Sequence, residues 1–350
     1  MTDFIIVGRG LAATVLMHTF QQNQVSFKVI GNKELSTSSR VAAGIWNPVV
    51  FKRLTKSWMA DNLIPYLETF YLDCQTRLGE QFVFSRNILK PFSEEQERRL
   101  WLQKSNNELD DYLDVNEAGD SKTVSGMHWP MGYGIVKKAG NIDVPLFLER
   151  SALYFSDHIE NEVFDHLALE IKDGACSYKG KKARHIVFCE GHLMKHNPFF
   201  QWIKLKPAKG EVLTIRANNL MEQNHILNKG AYLVPAANGE YKLGASYEWQ
   251  ELNDQITEKA RRVLESKLQG MYHGTYEILR QEAGVRPASG DRRPIIGPHP
   301  LHKNMHVFNG LGTKGVMLAP YFAKNFVNFY LQKEALHPEV NISRYYHCYA

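Results

Sequence analysis

Cysteine is scarce in this chain, with four in 350 residues. Cys74, Cys176, Cys189 and Cys348 lie far apart and form no CxxC pair. That excludes a disulfide-stapled scaffold and a thiolate metal site, and it fits free thiols in a reducing cytoplasm. No apolar run approaches the roughly 18 residues that a spanning helix needs. No basic-then-apolar leader opens the sequence either, so the expectation is a soluble, cytoplasmic protein without a membrane partner. The fourteen histidines include no HExxH or comparable metal signature, and isolated ones such as His18 and His128 read as structural or surface residues. No Ser/His/Asp arrangement is legible from spacing, so neither metal nor hydrolytic chemistry is indicated. Charge of neither sign dominates: 42 Lys and Arg against 37 Asp and Glu leave +5, and the basic clusters are short. This balance permits a polyanionic partner without requiring one. With 44% apolar and 23% charged residues, the chain has the composition of a folded protein, and its length suits two domains.

What is present begins at the start of the sequence. Phe4-Ile5-Ile6-Val7 runs into Gly8-x-Gly10-x-x-Ala13, after which Leu11, Ala12, Val15 and Leu16 recur at helical spacing. The pattern is strand, tight turn and helix, and the apolar run Val25 to Ile30 supplies the second strand of a βαβ unit. In such a unit Gly8 permits the turn, Gly10 lets a pyrophosphate approach the backbone, and Ala13 permits close packing of helix on strand. The helix N-terminus favours the negative charge. Dinucleotide binding therefore outranks a purely structural turn. One expected part is missing: Ile30 is followed by Gly31-Asn32, where an acid should bond the adenosine ribose. Asn32 through its amide, or Glu34 reaching back, is the candidate replacement. The missing acid would also suit NADP, for which Lys33 is the only basic candidate.

Residues 57–78 carry Trp58, Leu63, Leu67, Phe70, Tyr71 and Leu78 at mixed spacings of three and four, which predicts a helical pair broken at Pro65. From about residue 82 the texture changes to strands and loops, with a polar helix over 93–106, an acidic stretch over 108–120 and a Gly/Tyr/Pro-rich stretch over 127–135. Helical pattern returns after Asn141, with Asp143 as N-cap and Pro145 in the first turn. Arg184 to Gly191 reads as a buried strand returning to the first sheet. A second β-rich stretch, over 210–215, 231–235 and 240–244, contains Asn238-Gly239, a two-residue type I′ hairpin signal. Residues 254–269 predict a helix with Ile256, Ala260, Val263, Leu264 and Leu268 on one face and Asp254 as its cap. Because the two textures alternate, the domains are read as discontinuous and interleaved.

Ser38-Ser39-Arg40-Val41-Ala42-Ala43-Gly44-Ile45-Trp46-Asn47-Pro48 combines small residues, which let a large planar ligand approach, with hydroxyls suited to phosphate oxygens. Its plainer reading is a small-residue helix start. Near the C-terminus stand Gly284-Val285-Arg286-Pro287, continuing to Gly297, and Gly310-Leu311-Gly312-Thr313-Lys314-Gly315-Val316. Together with the N-terminal glycine motif, the strand ending Cys189-Glu190-Gly191 and the Ala231–Pro235 segment with its hairpin, these stretches resemble the FAD-dependent D-amino acid oxidase superfamily. They lie nearest to glycine oxidase and sarcosine oxidase-like proteins, in the right order and over nearly the whole chain.

The resemblance implies an α/β fold in which a Rossmann-like FAD-binding domain (1–82, 140–203 and 285–350) is interleaved with a mixed-β-sheet α+β substrate domain (83–139 and 204–284). It implies a flavoprotein oxidoreductase with dissociable FAD, because no Cys or His stands where covalent attachment would fall. The implied reaction oxidises the C–N bond of a small amine or amino acid. Hydride goes to flavin N5, an imine forms and hydrolyses, and oxygen is the usual acceptor. Carried over residue by residue, the cofactor contacts are Gly8, Gly10, Leu11, Ala12, Ala13, Asn32, Ser38, Ser39, Arg40, Val41, Ala43, Gly44, Ile45, Trp46, Ala168, Cys189, Glu190, Gly191, Arg286, Gly310, Leu311, Gly312, Thr313, Lys314, Gly315 and Val316. Arg286 is the residue implied to clamp a substrate carboxylate, since a guanidinium offers two parallel charge-assisted bonds. Its alternative is a structural arginine bonding loop carbonyls.

Tyr232 and Tyr247 are further catalytic candidates that would line the pocket, against the plainer reading of core tyrosines with satisfied hydroxyls. Arg293 is a weaker candidate, read as a domain-junction salt bridge. Thr313-Lys314 departs from the Arg-Asn pair of glycine oxidase, which removes a second substrate-side arginine and makes glycine doubtful as substrate. Lys314 is read as solvent-facing, with a place near the flavin or a part in activating oxygen as the alternatives. Two other functions compete: a flavoprotein trimming an aminomethyl group on tRNA, for which steep salt dependence of RNA binding is the discriminator, and a non-oxidase Rossmann dinucleotide-binding protein.

Overall fold

The computed structural model describes residues 1–35, 38–116, 129, 131–172, 174–217, 220 and 223–349. His128 lies outside them, with the end of the acidic stretch and the start of the Gly/Tyr/Pro-rich one, 117–128. Two sheets organise the molecule. In the first, Ile159–Glu160, Phe27–Ile30, Thr2–Val7 and Lys181–Phe188 lie side by side and parallel. Met305–Asn309 continues the parallel order beside the C-terminal half of Lys181–Phe188, with Ile186 opposite Met305. Ala175–Tyr178 runs antiparallel beside its N-terminal half, with Cys176 opposite Ala183. Both faces of this sheet are covered, so Phe4 to Val7 and Ile186 to Phe188 are buried without alternation. Helices Leu11–Gln22 and Gly315–Tyr330 share one face, where Phe20 meets Phe326 with ring centroids 6.4 Å apart.

The second sheet is mixed. Its order is Glu277–Arg286, Ala208–Arg216, Glu240–Gly244, Tyr232–Pro235, His225–Asn228, Asn87–Pro91, Tyr133–Val136 and Leu113–Asn116. Helix Glu258–Gln269 covers it through Leu264 and Leu268, which join Leu213 and Leu243 in one apolar cluster. A small sheet of Ile45–Trp46, Gly140–Ile142 and Val83–Ser85 stands between the two. The strands of the large sheets alternate along the chain, which is the interleaved α/β architecture that the sequence predicts.

Three local expectations need correction. Residues 60–78 form one helix rather than a broken pair. Pro65 falls near its start, where only one intrahelical bond is lost, and a buried stripe of Leu63, Leu67, Phe70 and Cys74 packs along its length. The 254–269 helix begins at Glu258, because the Thr257 hydroxyl, not Asp254, accepts the first-turn N–H of Ala260 at 3.2 Å. Only Ala260, Leu264 and Leu268 of its expected face are buried, while Ile256 and Val263 are exposed. Asn238 and Gly239 do adopt positive φ, but Ala236 bonds Glu240, so the loop closes over three residues rather than two. The aromatic C-terminus docks on the body: Tyr349 packs against Trp202 and His299, and the Tyr346 hydroxyl donates to the Pro298 carbonyl at 2.9 Å.

Candidate active site

A cavity of about 670 Å³ runs from the C-terminal ends of the parallel strands to the inner strands of the second sheet. At its first end Gly8 holds φ at +118°, and a Cβ there would lie 2.5 Å from the Cys189 carbonyl oxygen. The next helix starts at Leu11 with no acidic residue in its first turn, and the Leu11 N–H donates to the Ser39 hydroxyl at 3.1 Å. A helix N-terminus, a backbone that only glycine permits and a serine hydroxyl thus meet at one point, which suits a pyrophosphate.

At the position of the missing ribose acid the space is already filled. The stem of Arg9 crosses the end of the second strand, so that a Cβ at Gly31 would lie 2.5 Å from the Arg9 Cγ. Arg9 then donates to the Asn161 side-chain oxygen at 2.9 Å, and the Lys33 N–H donates to the same atom at 2.8 Å. Burial, then the charge of Arg40, holds the Arg9 guanidinium below its ordinary pKa. Asn32 lines the cavity, its side-chain oxygen accepting the Glu34 N–H at 2.6 Å.

The sequence reasoning missed Glu162, Val163, Phe164 and His166, which the segment after Ile159–Glu160 brings to the same end. Glu162 accepts from the Tyr178 hydroxyl and from Lys179. Glu190, at the end of the central strand, is held by His166 at 2.8 Å and by Asn197 at 2.6 Å.

At the other end stands Arg286. Its guanidinium lies 4.6 Å from the centre of the Tyr247 ring and makes only long bonds to the carbonyls of Lys209 (3.3 Å) and Ser246 (3.4 Å). No carboxylate of the described residues pairs with it, and burial lowers its pKa. Room for it comes from Gly210, whose Cβ would sit 1.9 Å from the guanidinium Nη2. That glycine carries the usual mark of a close approach inside a strand, which was the available signal. Tyr232 is nearly buried, and burial raises its pKa, so the phenol stays neutral. The Asn47 side-chain amide donates to the Tyr232 oxygen at 3.0 Å, leaving the phenolic proton free to face the cavity.

Lys314 corrects the solvent-facing expectation. It lines the cavity, donates to the Ser57 hydroxyl at 2.7 Å and is brought down to about 8 by burial and by Arg293 and Arg292. Arg293 itself pairs with Glu339 at 2.9 Å and lies over Trp58 at 4.1 Å, so it is not a bridge to the second sheet.

Most of the remaining expected contacts line the same cavity, among them Ser38, Val41, Ala43, Gly44, Ile45, Trp46, Cys189, Gly191, Leu311, Gly312, Thr313, Gly315 and Val316. Four do not. Ala13 is fully buried in the packing of the first helix, Arg40 is exposed, Ala168 packs against the cluster around Phe164, and Gly310 turns the chain at φ +73° behind Leu311. Among the described residues no helix is long and apolar enough to cross a membrane, and no cluster of His, Cys, Asp and Glu is arranged for a metal ion.

A parallel sheet with a glycine-gated helix start, opening into one cavity closed by a mixed sheet, defines a dinucleotide-binding α/β protein with a second, ligand-facing unit. The chain belongs to the FAD dependent oxidoreductase family, whose model matches residues 3–328. Its cofactor is accordingly FAD, and the glycine-lined turn, Ser39 and the elongated cavity fit that group. The chain is 22% identical over 363 residues to the tRNA 5-methylaminomethyl-2-thiouridine biosynthesis bifunctional protein of Marinobacter nauticus, covering 95% of this chain and 56% of that protein. It is 25% identical over 209 residues to glycine oxidase of Bacillus subtilis, covering 54% of each. The match thus spans about half the length of these curated relatives. Among solved structures, glycine oxidase from Geobacillus kaustophilus superposes with a TM-score of 0.79 at 17% identity over 95% of each chain. Iminodiacetate oxidase from Chelativorans superposes at 0.80 and 16% over 98% of each.

Proposed function

We propose that this protein oxidises a C–N bond in a small amine that carries a carboxylate, with dioxygen as final acceptor and an imine as the product that water then hydrolyses. The observation that carries this reading is Arg286, a guanidinium facing the cavity with no carboxylate partner among the described residues. A substrate carboxylate takes two parallel bonds from it and completes its charge balance. The neutral Tyr232 donates its free proton to the same carboxylate, and the Tyr247 ring fixes the guanidinium plane from one face. Together they hold the α-carbon in one orientation. FAD, when bound, supplies the two-electron acceptor. The likeness to glycine oxidase and to iminodiacetate oxidase supports an amine bearing a carboxylate as the substrate class.

A second reading, oxidative trimming of an aminomethyl group on a tRNA base, is favoured by the alignment of 95% of this chain with the tRNA-modifying relative. One experiment separates the two. The absorption spectrum of the FAD-loaded protein is followed anaerobically while glycine, N-methylglycine, D-amino acids, proline and simple amines are added. Bleaching by one of them supports the first reading. Bands that persist through this panel but bleach with modified tRNA, together with binding that weakens steeply with salt, support the second. A colourless protein unable to take up FAD would sink both.

A further inference from the structure

Arg286 and Lys314 are two cations on one cavity, and no carboxylate of the described residues pairs with either. Their segments are fastened to one another: the Gly312 N–H donates to the Pro287 carbonyl at 3.2 Å, and Ala288 bridges Leu311. From that fastening the two side chains diverge. Arg286 turns to Gly210 and Tyr247 on the second sheet, while Lys314 turns to Ser57. The Ser57 proton is already given to the Asn47 carbonyl at 3.0 Å, so its oxygen can only accept from the ammonium.

The other charges acting on Lys314 are Arg292 and Arg293, also positive. Nearby acids are already engaged: Glu339 by Arg293 and Trp58, and Asp291 by Arg344. A half-buried ammonium without a counter-charge is unfavourable unless an anion reaches it from solution. A substrate with one carboxylate satisfies Arg286 and leaves Lys314 as it was.

We propose that the substrate carries two anionic groups, one for Arg286 and one for Lys314, and is therefore a secondary amine flanked by two acidic arms of the iminodiacetate type. This rests on the small-amine reading above and narrows it. Lys314 sets specificity by counting the anions on the substrate, and Ser57 holds the ammonium in place.

The test uses non-oxidisable sulfur analogues on the FAD-loaded protein, read by perturbation of the flavin absorption bands. Thiodiacetate carries both acidic arms, and methylthioacetate carries one. Thiodiacetate is expected to bind roughly 10- to 100-fold more tightly, the range for one added hydrogen bond to a charged group. Lys314→Met is expected to remove that difference, bringing thiodiacetate down to the affinity of methylthioacetate, and Lys314→Arg to keep much of it. Equal affinities in the unaltered protein, or a difference that survives in Lys314→Met, would overturn the proposal while leaving the small-amine reading intact. Loss of FAD from Lys314→Met but not from Lys314→Arg would overturn it too, since the ammonium would then serve the cofactor. If neither analogue perturbs the bands, the small-amine reading fails and takes this proposal with it.

Discussion

The guanidinium of Arg286 occupies the space that a side chain at position 210 would need, 1.9 Å from where a Cβ on Gly210 would stand. The two residues stand diagonally across paired strands, with Gly210 in register with Gly284 and Ala208 with Arg286. Adding one methyl at 210 therefore displaces the tip of a flexible side chain, not backbone. For Gly210→Ala we expect a change in unfolding free energy within about 1 kcal/mol. Carboxylate affinity should fall by roughly 10- to 100-fold, because the charge-assisted bonds lose their alignment. Parallel thermal unfolding and ligand titration check this. A variant that unfolds early would show instead that the strand pairing, and not Arg286, depends on the glycine.

Gly8 is under the opposite constraint, since its clash is with the Cys189 carbonyl oxygen at 2.5 Å and its φ is +118°. A backbone atom cannot swing aside as a guanidinium does. Gly8→Ala should incur about 1–3 kcal/mol of local strain at the turn that suits the pyrophosphate. The expected result is a protein that folds but is purified with much less FAD than the unaltered chain, measured as the ratio of flavin to protein absorbance. Full FAD content in Gly8→Ala would contradict the placement of the cofactor at this turn.

The two sheets were legible because their signals are local. An apolar burst, a glycine turn and a helical repeat are all contained in the first twenty residues, and the alternation of textures along the chain marks the interleaving. The cavity lining was legible only where a run of small residues or glycines marks a close approach. Glu162 and His166 escaped because they reach the cavity on a short segment after a two-residue strand, which carries no periodicity. Lys314 was misread for a different reason. Whether a lysine beside glycines faces water depends on Ser57, 257 residues earlier, and spacing holds no information about a contact at that distance. The glycine in place of the ribose acid looked like a defect in the motif, whereas in the structure the stem of Arg9 fills the space beside it.

Beneath the loop that carries Tyr247 lies a buried ion pair, Lys209 with Glu211, at 3.7 Å. Glu211 also accepts from the Thr257 N–H, the Thr257 hydroxyl and Gln281, and Lys209 donates to Asn253. The backbone of Lys209 pairs with Glu248 and that of Glu211 with Ser246, so this network anchors both flanks of Tyr247. Removing one partner leaves the other charge buried and unpaired, so Glu211→Leu should lower stability by about 3–5 kcal/mol. Adding Lys209→Met should recover part of that loss. Urea midpoints of the unaltered protein, both single variants and the double variant measure the coupling, and losses in the two single variants that simply add in the double would show that the ion pair itself contributes nothing.

The pH dependence of anion binding follows from Lys314, which burial and the neighbouring Arg293 and Arg292 hold at about 8 rather than 10.5. Below about 8 the ammonium is charged in the free protein and an anion binds it directly. Above that value the lysine is neutral, and binding a second anion must first take up a proton. Thiodiacetate affinity should therefore stay level up to about pH 8 and fall by up to about tenfold per unit above it, until it reaches the level that Arg286 alone gives. Methylthioacetate needs only Arg286, whose guanidinium stays charged across this range, so its affinity should stay level throughout. The linkage also runs through stability: a lysine held below its ordinary value makes the free fold less stable as pH falls from about 10.5 to about 8, and a bound dianion offsets that loss. Stabilisation by thiodiacetate in thermal unfolding should thus be larger at pH 7 than at pH 9.5, a contrast that Lys314→Met should abolish. Equal stabilisation at both pH values would place the titrating group elsewhere.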